Sequence, residues 1–152
     1  MHPLPKGITG FDAPEYGVTA EQFTSACHSA VRQVGGRVLQ VQPAYDQVTL
    51  NFHQAFVALP HGQEIIRVLC NAHYPMVAFA RPPAYEGDAR LEFLDCQKLA
   101  DALSVEFSVI GSKDACLGID SELIAELTEV ELDQMRYRKT QRIGDVIFNH
   151  WD

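Results

Sequence analysis

Short apolar segments separated by turn-forming residues fill the stretch from residue 37 to residue 80. In the second of them, Val48, Leu50 and Phe52 alternate with polar residues, which is the period of a half-buried strand. Connections this short favour antiparallel neighbours. The pattern therefore predicts an antiparallel meander whose first two strands form a hairpin with one wet face. The segments are RVLQVQ (37–42), QVTLNF (47–52), AFVAL (55–59), EIIRVLCNA (64–72) and MVAFA (76–80).

A helix is predicted before this block. Thr19 and Gln22 have the spacing of a capping box, and Gly35-Gly36 provides a stop. Between them one face is apolar, with Phe23, Cys27, Ala30, Val31 and Val34. Residues 1–18 are rich in Pro and Gly, and we expect an irregular arm anchored by Phe11 and Tyr16.

The chain after residue 80 mixes short strands with short helices. Two prolines and a glycine make residues 81–90 a loop, and residues 111–118 form another. Strands are predicted at 91–95 and 105–110, with a helix over 97–103 between them capped by Asp95.

Three helices are predicted at the end of the chain. Asp120 or Ser121 caps the first, over 122–127, and Thr128 with Glu131 forms a capping box for the second. Thr140 caps the third, in which Ile143, Ile147 and Trp151 share a face. Gly144 is expected to cost this last helix about 1 kcal/mol relative to Ala.

The order of these elements defines the fold class. A helix, a block of strands, an inserted helix and closing helices are typical of an α+β domain rather than an alternating one. A chain of 152 residues is the size of one ordinary domain. We therefore predict a single α+β domain over residues 1–152, with an antiparallel sheet of about five to six strands packed with an N-terminal helix and C-terminal helices.

Charge and composition exclude several classes of protein. A net charge of −8 and a pI near 5.1 oppose the counterion release on which nucleic-acid binding depends. We predict no secretory signal and no apolar run that would span a bilayer, and so a cytoplasmic protein. The four cysteines are scattered through apolar segments, which favours reduced thiols in the core.

No catalytic or cofactor motif is present in the chain, so we expect a protein without enzymatic activity and without a cofactor. Cys70 and His73 have half of a zinc-site spacing, but no second pair follows, and no metal site is predicted. One alternative class stays open. His53 and His61 could line a pocket on a curved antiparallel sheet, as in a small-molecule-binding domain or a small enzyme.

The strongest functional candidate is an acidic segment followed by basic residues. It could be a solvated surface, or its acids could pair with the basic residues Arg136, Arg138, Lys139 and Arg142. The sharper hypothesis is a docking surface for a basic protein, with Tyr137 as an aromatic anchor. The predicted partner-binding residues are Asp114, Asp120, Glu122, Glu126, Glu129, Glu131, Asp133 and Tyr137.

The chain resembles the small bacterial immunity proteins of contact-dependent and other polymorphic toxin systems. The resemblance rests on its size, its acidity, the α+β pattern, the missing catalytic motif and the ending RIGDVIFNHWD. The resemblance implies a cytosolic protein that binds one cognate toxin, often a nuclease, and blocks it. No functional residue is carried over by motif. An oligomeric structural or adaptor domain is a third possibility.

Overall fold

The helix predicted after Thr19 is α1, Ala20–Gln33, in a computed structural model that describes residues 1–44, 50–60 and 64–151. The Thr19 side chain accepts a hydrogen bond from the Gln22 backbone N–H at 3.0 Å, which confirms the cap. The face with Phe23, Cys27, Ala30 and Val31 is buried, as its spacing predicted. After the helix the chain turns at Gly35, whose φ of +78° favours glycine.

Within the described residues, six strands form the sheet, in the order β1-β2-β3-β4-β5, with β6 paired to β4. All neighbours are antiparallel except β4 and β6, which are parallel. The predicted α+β class, with one sheet and flanking helices, is therefore confirmed. The strands are β1 Arg37–Gln42, β2 Phe52–Ala58, β3 Ile65–Asn71, β4 Met76–Ala80, β5 Phe93–Leu94 and β6 Ser108–Val109.

The hairpin prediction was wrong in its boundaries, and its wet face is present on β1 but not on β2. The partner of β1 is Phe52–Ala58, so the predicted segment AFVAL continues β2 instead of forming a third strand. Residues 47–49 of the predicted strand lie outside the described residues, and Leu50 is not in a strand. Both faces of β2 are covered, because helices pack on one side and the terminal segments on the other.

The period-2 alternation of β2 and β3 divides their side chains between two apolar layers. On one face, Val57 and Val68 pack with Phe23 of α1. On the other face, Phe52 and Leu69 pack with the arm and the C-terminal segment. Full burial of such side chains contributes roughly 1.5–3 kcal/mol each. The sheet is thus the middle layer of three.

The arm over residues 1–18 is irregular, as predicted, but its predicted anchors are not the ones used. Leu4 and Ile8 are fully buried, whereas Tyr16 is 82% exposed and Phe11 is half-buried. Leu4 also donates its backbone N–H to the Leu123 carbonyl at 2.8 Å. The arm therefore belongs to the second apolar layer.

The helix α2, Gln97–Leu103, forms where predicted, but Asp95 does not cap it. The Asp95 carboxylate instead accepts hydrogen bonds from the Ser112 backbone N–H at 2.8 Å and from its hydroxyl at 2.7 Å. Ser112 begins a short helix, α3 (Ser112–Ala115), inside the predicted 111–118 loop. Asp95 thus joins two segments 17 residues apart instead of closing its own helix.

Residues 121–127 form a series of turns rather than the predicted helix. The next helix, α4 (Glu129–Arg138), begins at the predicted capping box. Thr128 accepts from the Glu131 N–H at 3.2 Å, and Glu131 accepts from the Thr128 N–H at 3.1 Å. The chain then leaves α4 through Lys139, which has a left-handed φ of 54°.

The last helix, α5 (Ile143–Ile147), is shorter than predicted and starts after Arg142 rather than Thr140. Ile143 and Ile147 are fully buried, but Trp151 lies beyond the end of the helix and is half-buried. The prediction that these three side chains share a helical face is therefore wrong for Trp151.

Gly144 is expected to tolerate Ala poorly, although helix propensity alone favours Ala. A Cβ at this position would lie 2.5 Å from the Phe93 ring and 2.8 Å from the Ala115 carbonyl oxygen. Gly144→Ala should therefore lower the free energy of unfolding by about 2 kcal/mol, measured by urea denaturation. Gly118→Ala is the control, since its Cβ would meet only the Gln141 carbonyl at 4.0 Å. Equal stability of the two variants would contradict this packing.

Candidate functional site

The predicted partner-binding residues lie in three consecutive segments. Asp114 is half-buried on α3, and Asp120, Glu122 and Glu126 are exposed in or next to the turns before α4. Three exposed members belong to α4, namely Glu129, Asp133 and Tyr137. Seven of the eight residues thus have solvent access.

Glu131 is the exception, and its assignment to a partner surface was wrong. Its side chain is fully buried. Its carboxylate accepts hydrogen bonds from the Gly7 N–H at 2.8 Å, the Thr9 N–H at 3.1 Å and the Thr9 hydroxyl at 2.6 Å, besides the Thr128 N–H of the capping box. A buried carboxylate is stable when such donors replace water. Glu131 therefore fastens the N-terminal arm to α4.

The exposed residues of α4 form one face of the helix. At about 100° per residue they fall within a single arc, opposite Glu131 and Met135. Val130 and Tyr137 are 46% and 76% exposed on this face, beside Glu129 and Asp133. Apolar surface is thus mixed with negative charge.

The basic residues after the acidic segment neutralise it only in part. Arg136 pairs with Asp133 at 2.6 Å, but both side chains are about two thirds exposed, at 67% and 68%. Arg142 pairs instead with Asp145, at 2.8 and 2.9 Å. The Arg138 guanidinium lies over the Tyr137 ring at 5.3 Å. Of the predicted acids, Asp133 is thus partly neutralised by Arg136.

His53 is a structural residue, and its predicted place in a pocket was wrong. It is 3% exposed, and its ring stacks on Phe23 with centroids 5.8 Å apart. Nδ1 accepts from the Ala44 N–H at 2.9 Å, so the proton sits on Nε2, which donates to the Val18 carbonyl at 2.7 Å. Both nitrogens are occupied. His61, the other predicted pocket residue, lies outside the described residues.

Cys27 and Cys70 are buried, Cys96 is half-buried and Cys116 is exposed. Burial raises the pKa of the Cys27 thiol to about 12 and also raises the pKa of Cys70 strongly. Cys70 lies within β3 and His73 lies beyond its end. Within residues 1–44, 50–60 and 64–151, no three side chains of the metal-binding types come together.

A groove that sequence reasoning missed lies between residues 81–93 and residues 138–151. It has a volume of about 900 Å³, and Cys116 also lines it. The proline-rich composition predicted the loop, but it carried no sign that the C-terminal segment forms the opposite wall. The basic lining residues are Arg81, Arg90, Arg138, Lys139 and Arg142.

Arg142 joins the two walls of the groove. Its guanidinium donates to the Asp145 carboxylate and to the Leu91 carbonyl at 3.0 Å, and it lies 5.1 Å from the Phe93 ring centroid. The hydrogen bond to Asp145 raises the pKa of Arg142, so its charge is permanent. The position of the loop wall is therefore set by a cation on the opposite wall.

His150 and Asp88 complete the polar lining. Burial and the nearby Arg67 guanidinium lower the pKa of His150, while Asp145 and a hydrogen bond with the Ala89 backbone act in the opposite direction. Asp88 accepts from the Arg90 N–H at 3.2 Å and the Ala84 N–H at 3.3 Å, and these bonds lower the pKa of its carboxyl. The loop thus has its own internal hydrogen bonds.

No family model, no curated protein and no solved structure matches this chain. In the part of the chain that the structure describes, no helix has the length and apolar character required to cross a bilayer.

Proposed function

We propose that this chain is a non-enzymatic protein-binding module that docks a basic protein, most concretely an immunity protein that neutralises a cognate toxin domain in the cytoplasm. One observation carries the proposal: the exposed face of α4 combines the carboxylates of Glu129 and Asp133 with the exposed side chains of Val130 and Tyr137. Carboxylates alone are typical of any solvated helix. Apolar anchors within them are typical of an interface.

The negative charge of this surface determines which kind of protein it attracts. Glu122 and Glu126, in the turns directly before α4, extend the negative surface along the chain. The protein carries a net charge of −8, so a basic partner is attracted over a distance and an acidic one is repelled. A nuclease toxin fits this requirement, since its active site must be positive to hold phosphates. Nucleic acid itself would be repelled by this surface.

The buried side of α4 makes the surface rigid. Glu131 holds the helix against the arm through Gly7 and Thr9, and Met135 packs in the second apolar layer. A surface that is ordered before binding loses less conformational entropy when the partner docks. The resemblance to immunity proteins and this preorganised acidic face support the same function.

The decisive experiment replaces Glu122, Glu126 and Glu129 together with Lys, which reverses their charge. If a toxin domain is encoded by an adjacent gene, we expect a one-to-one complex with it and an association rate that falls as ionic strength rises. Reversal should weaken the affinity by at least about 100-fold, measured by surface plasmon resonance. Tyr137→Ala should weaken it by about tenfold or more without changing the salt dependence.

The matched control is the triple reversal of Glu15, Glu21 and Glu106, which are exposed elsewhere on the protein. It changes the net charge by the same amount and should reduce the affinity far less. Equal losses in the two triple variants would mean that only net charge matters. Unchanged affinity after reversal at 122, 126 and 129 would overturn the site, and no binding to the adjacent toxin would overturn the immunity function.

A further inference from the structure

The groove between residues 81–93 and 138–151 concentrates positive charge in an acidic protein. Five of the twelve Lys and Arg residues line it, together with three carboxylates, Asp88, Glu92 and Asp145. Counted over the described residues, the lining therefore has an excess of two positive charges, in a chain whose net charge is −8. Its volume of about 900 Å³ lies in the usual range for small-molecule sites, roughly 300–1,000 Å³.

Two of these cations have room for a ligand. Arg90 stands on the loop wall with a side chain 80% exposed, and its contact with Asp88 is long, at 3.4 Å. Lys139 is exposed at the end of α4, on the opposite wall. Arg142, in contrast, is held by Asp145 and Leu91. The groove thus carries one exposed cation on each wall, Arg90 and Lys139, besides the held Arg142.

A buried arginine near the groove, Arg67, has one guanidinium nitrogen without an acceptor. Arg67 on β3 is 6% exposed, and its Nε donates to the Gln54 side chain at 2.7 Å. Its Nη1 is buried without a hydrogen-bond partner among the described residues. The guanidinium interacts electrostatically with Asp88 and His150, both of which line the groove. An unsatisfied buried donor is costly, so an acceptor is expected to reach it.

The lining also has an apolar and aromatic part. Trp151, Phe148 and Phe93 line the groove together with Leu91 and Pro82. Trp151 is half-buried although it lies at the end of the chain, so part of its ring is available for stacking. Rings of this kind bind flat apolar groups.

We propose that this groove binds a small organic oxyanion, a carboxylate or phosphate attached to an apolar ring, with the anion between Arg90 and Lys139, attracted also by the buried Arg67 guanidinium, and the ring against Trp151. The groove adjoins the acidic face of α4 at Arg138, which lies over the Tyr137 ring, but none of the proposed ligand contacts belongs to that face. Arg142 positions the walls and does not contact the ligand.

Trp151 provides a direct test, because it is the only tryptophan of the chain. Phenyl phosphate and benzoate are titrated while the fluorescence of Trp151 is recorded, with benzylamine as the cationic analogue and inorganic phosphate as the anion without a ring. We expect a saturable change with one or both aromatic anions, and whichever binds more tightly identifies the anionic group. Inorganic phosphate should bind more weakly, and benzylamine should give no saturable change.

The double variant Arg90→Gln, Lys139→Gln should weaken binding by about tenfold or more. Lys6→Gln, Lys98→Gln is the control, since both lysines are exposed outside the groove. Arg67→Gln should also weaken binding; if that variant does not fold, the double variant still decides. The proposal is overturned if neither aromatic anion gives a saturable change, if benzylamine binds equally, or if the control variant loses as much affinity. Inorganic phosphate binding as tightly as phenyl phosphate would overturn the ring position.

Discussion

Replacing Glu131 with Ala is expected to lower the free energy of unfolding by about 4 kcal/mol, the largest stability loss that we predict for a single polar side chain. The substitution leaves four donors without an acceptor, on Gly7, Thr9 and Thr128. Two of these residues belong to the arm, more than 120 residues away in the chain. The arm should therefore be released before the rest of the protein unfolds.

Two measurements separate this account from a general helix effect. Urea denaturation gives the free energy, and limited proteolysis reports whether the bonds within residues 1–18 become accessible. Glu131→Gln should cost about 2 kcal/mol, because one carboxylate oxygen becomes an NH₂ group that faces donors. Glu129→Gln is the control, on the exposed face of the same turn, and should change stability by less than about 0.5 kcal/mol. An arm equally protected in Glu131→Ala would contradict the assignment.

The second large effect is expected at Asn71, which is fully buried. Its side-chain N–H groups donate to the Ile8 carbonyl at 2.9 Å and the Ile147 carbonyl at 2.7 Å. Its side-chain oxygen accepts from the His73 and Tyr74 N–H groups. One amide thus ties the arm, the end of β3 and the end of α5. Asn71→Ala should cost about 3 kcal/mol by urea denaturation.

Asn51 allows a sharper test of the same network. Its side chain donates to the same two carbonyls, each at 3.0 Å. Either amide can therefore satisfy these carbonyls in part, and removing both leaves them without a side-chain donor. We expect Asn51→Ala with Asn71→Ala to cost about 1 kcal/mol more than the sum of the single variants. Additive losses would argue against a shared network. Gln97→Ala, at an exposed amide, is the control for amide loss.

These asparagines separate what could be predicted from the sequence at the end of the chain from what could not. The closing segment RIGDVIFNHWD was predicted to be an amphipathic helix, and Ile143 and Ile147 are indeed buried. Its polar residue Asn149 joins Asn51 through its backbone N–H at 2.8 Å and donates to the Thr9 carbonyl at 3.2 Å. All three asparagines of the chain belong to this network. Their positions, 51, 71 and 149, gave no sequence signal of a shared site.

Gly144 and His53 illustrate two kinds of interaction that the sequence does not predict. Helix propensity correctly ranks Gly below Ala in a helix, but the Phe93 ring, 51 positions earlier in the chain, occupies the space that a Cβ needs. His53 is a residue type common in active sites, yet both its ring nitrogens are used by backbone groups. Neither steric contact nor hydrogen-bond occupancy can be read from residue type and spacing.

The sequence by itself determined the α+β class, the helix α1 with its cap at Thr19, and the capping box at Thr128, because these depend on interactions within a few residues. Only the tertiary structure decided which acids are available to a partner. Glu131 and Glu129 lie two positions apart on one helix, and the local pattern treats both as surface acids. The arm distinguishes them, since Gly7 and Thr9 reach one carboxylate and leave the other in water. Contacts between residues more than 120 positions apart create this difference, and no periodicity encodes them.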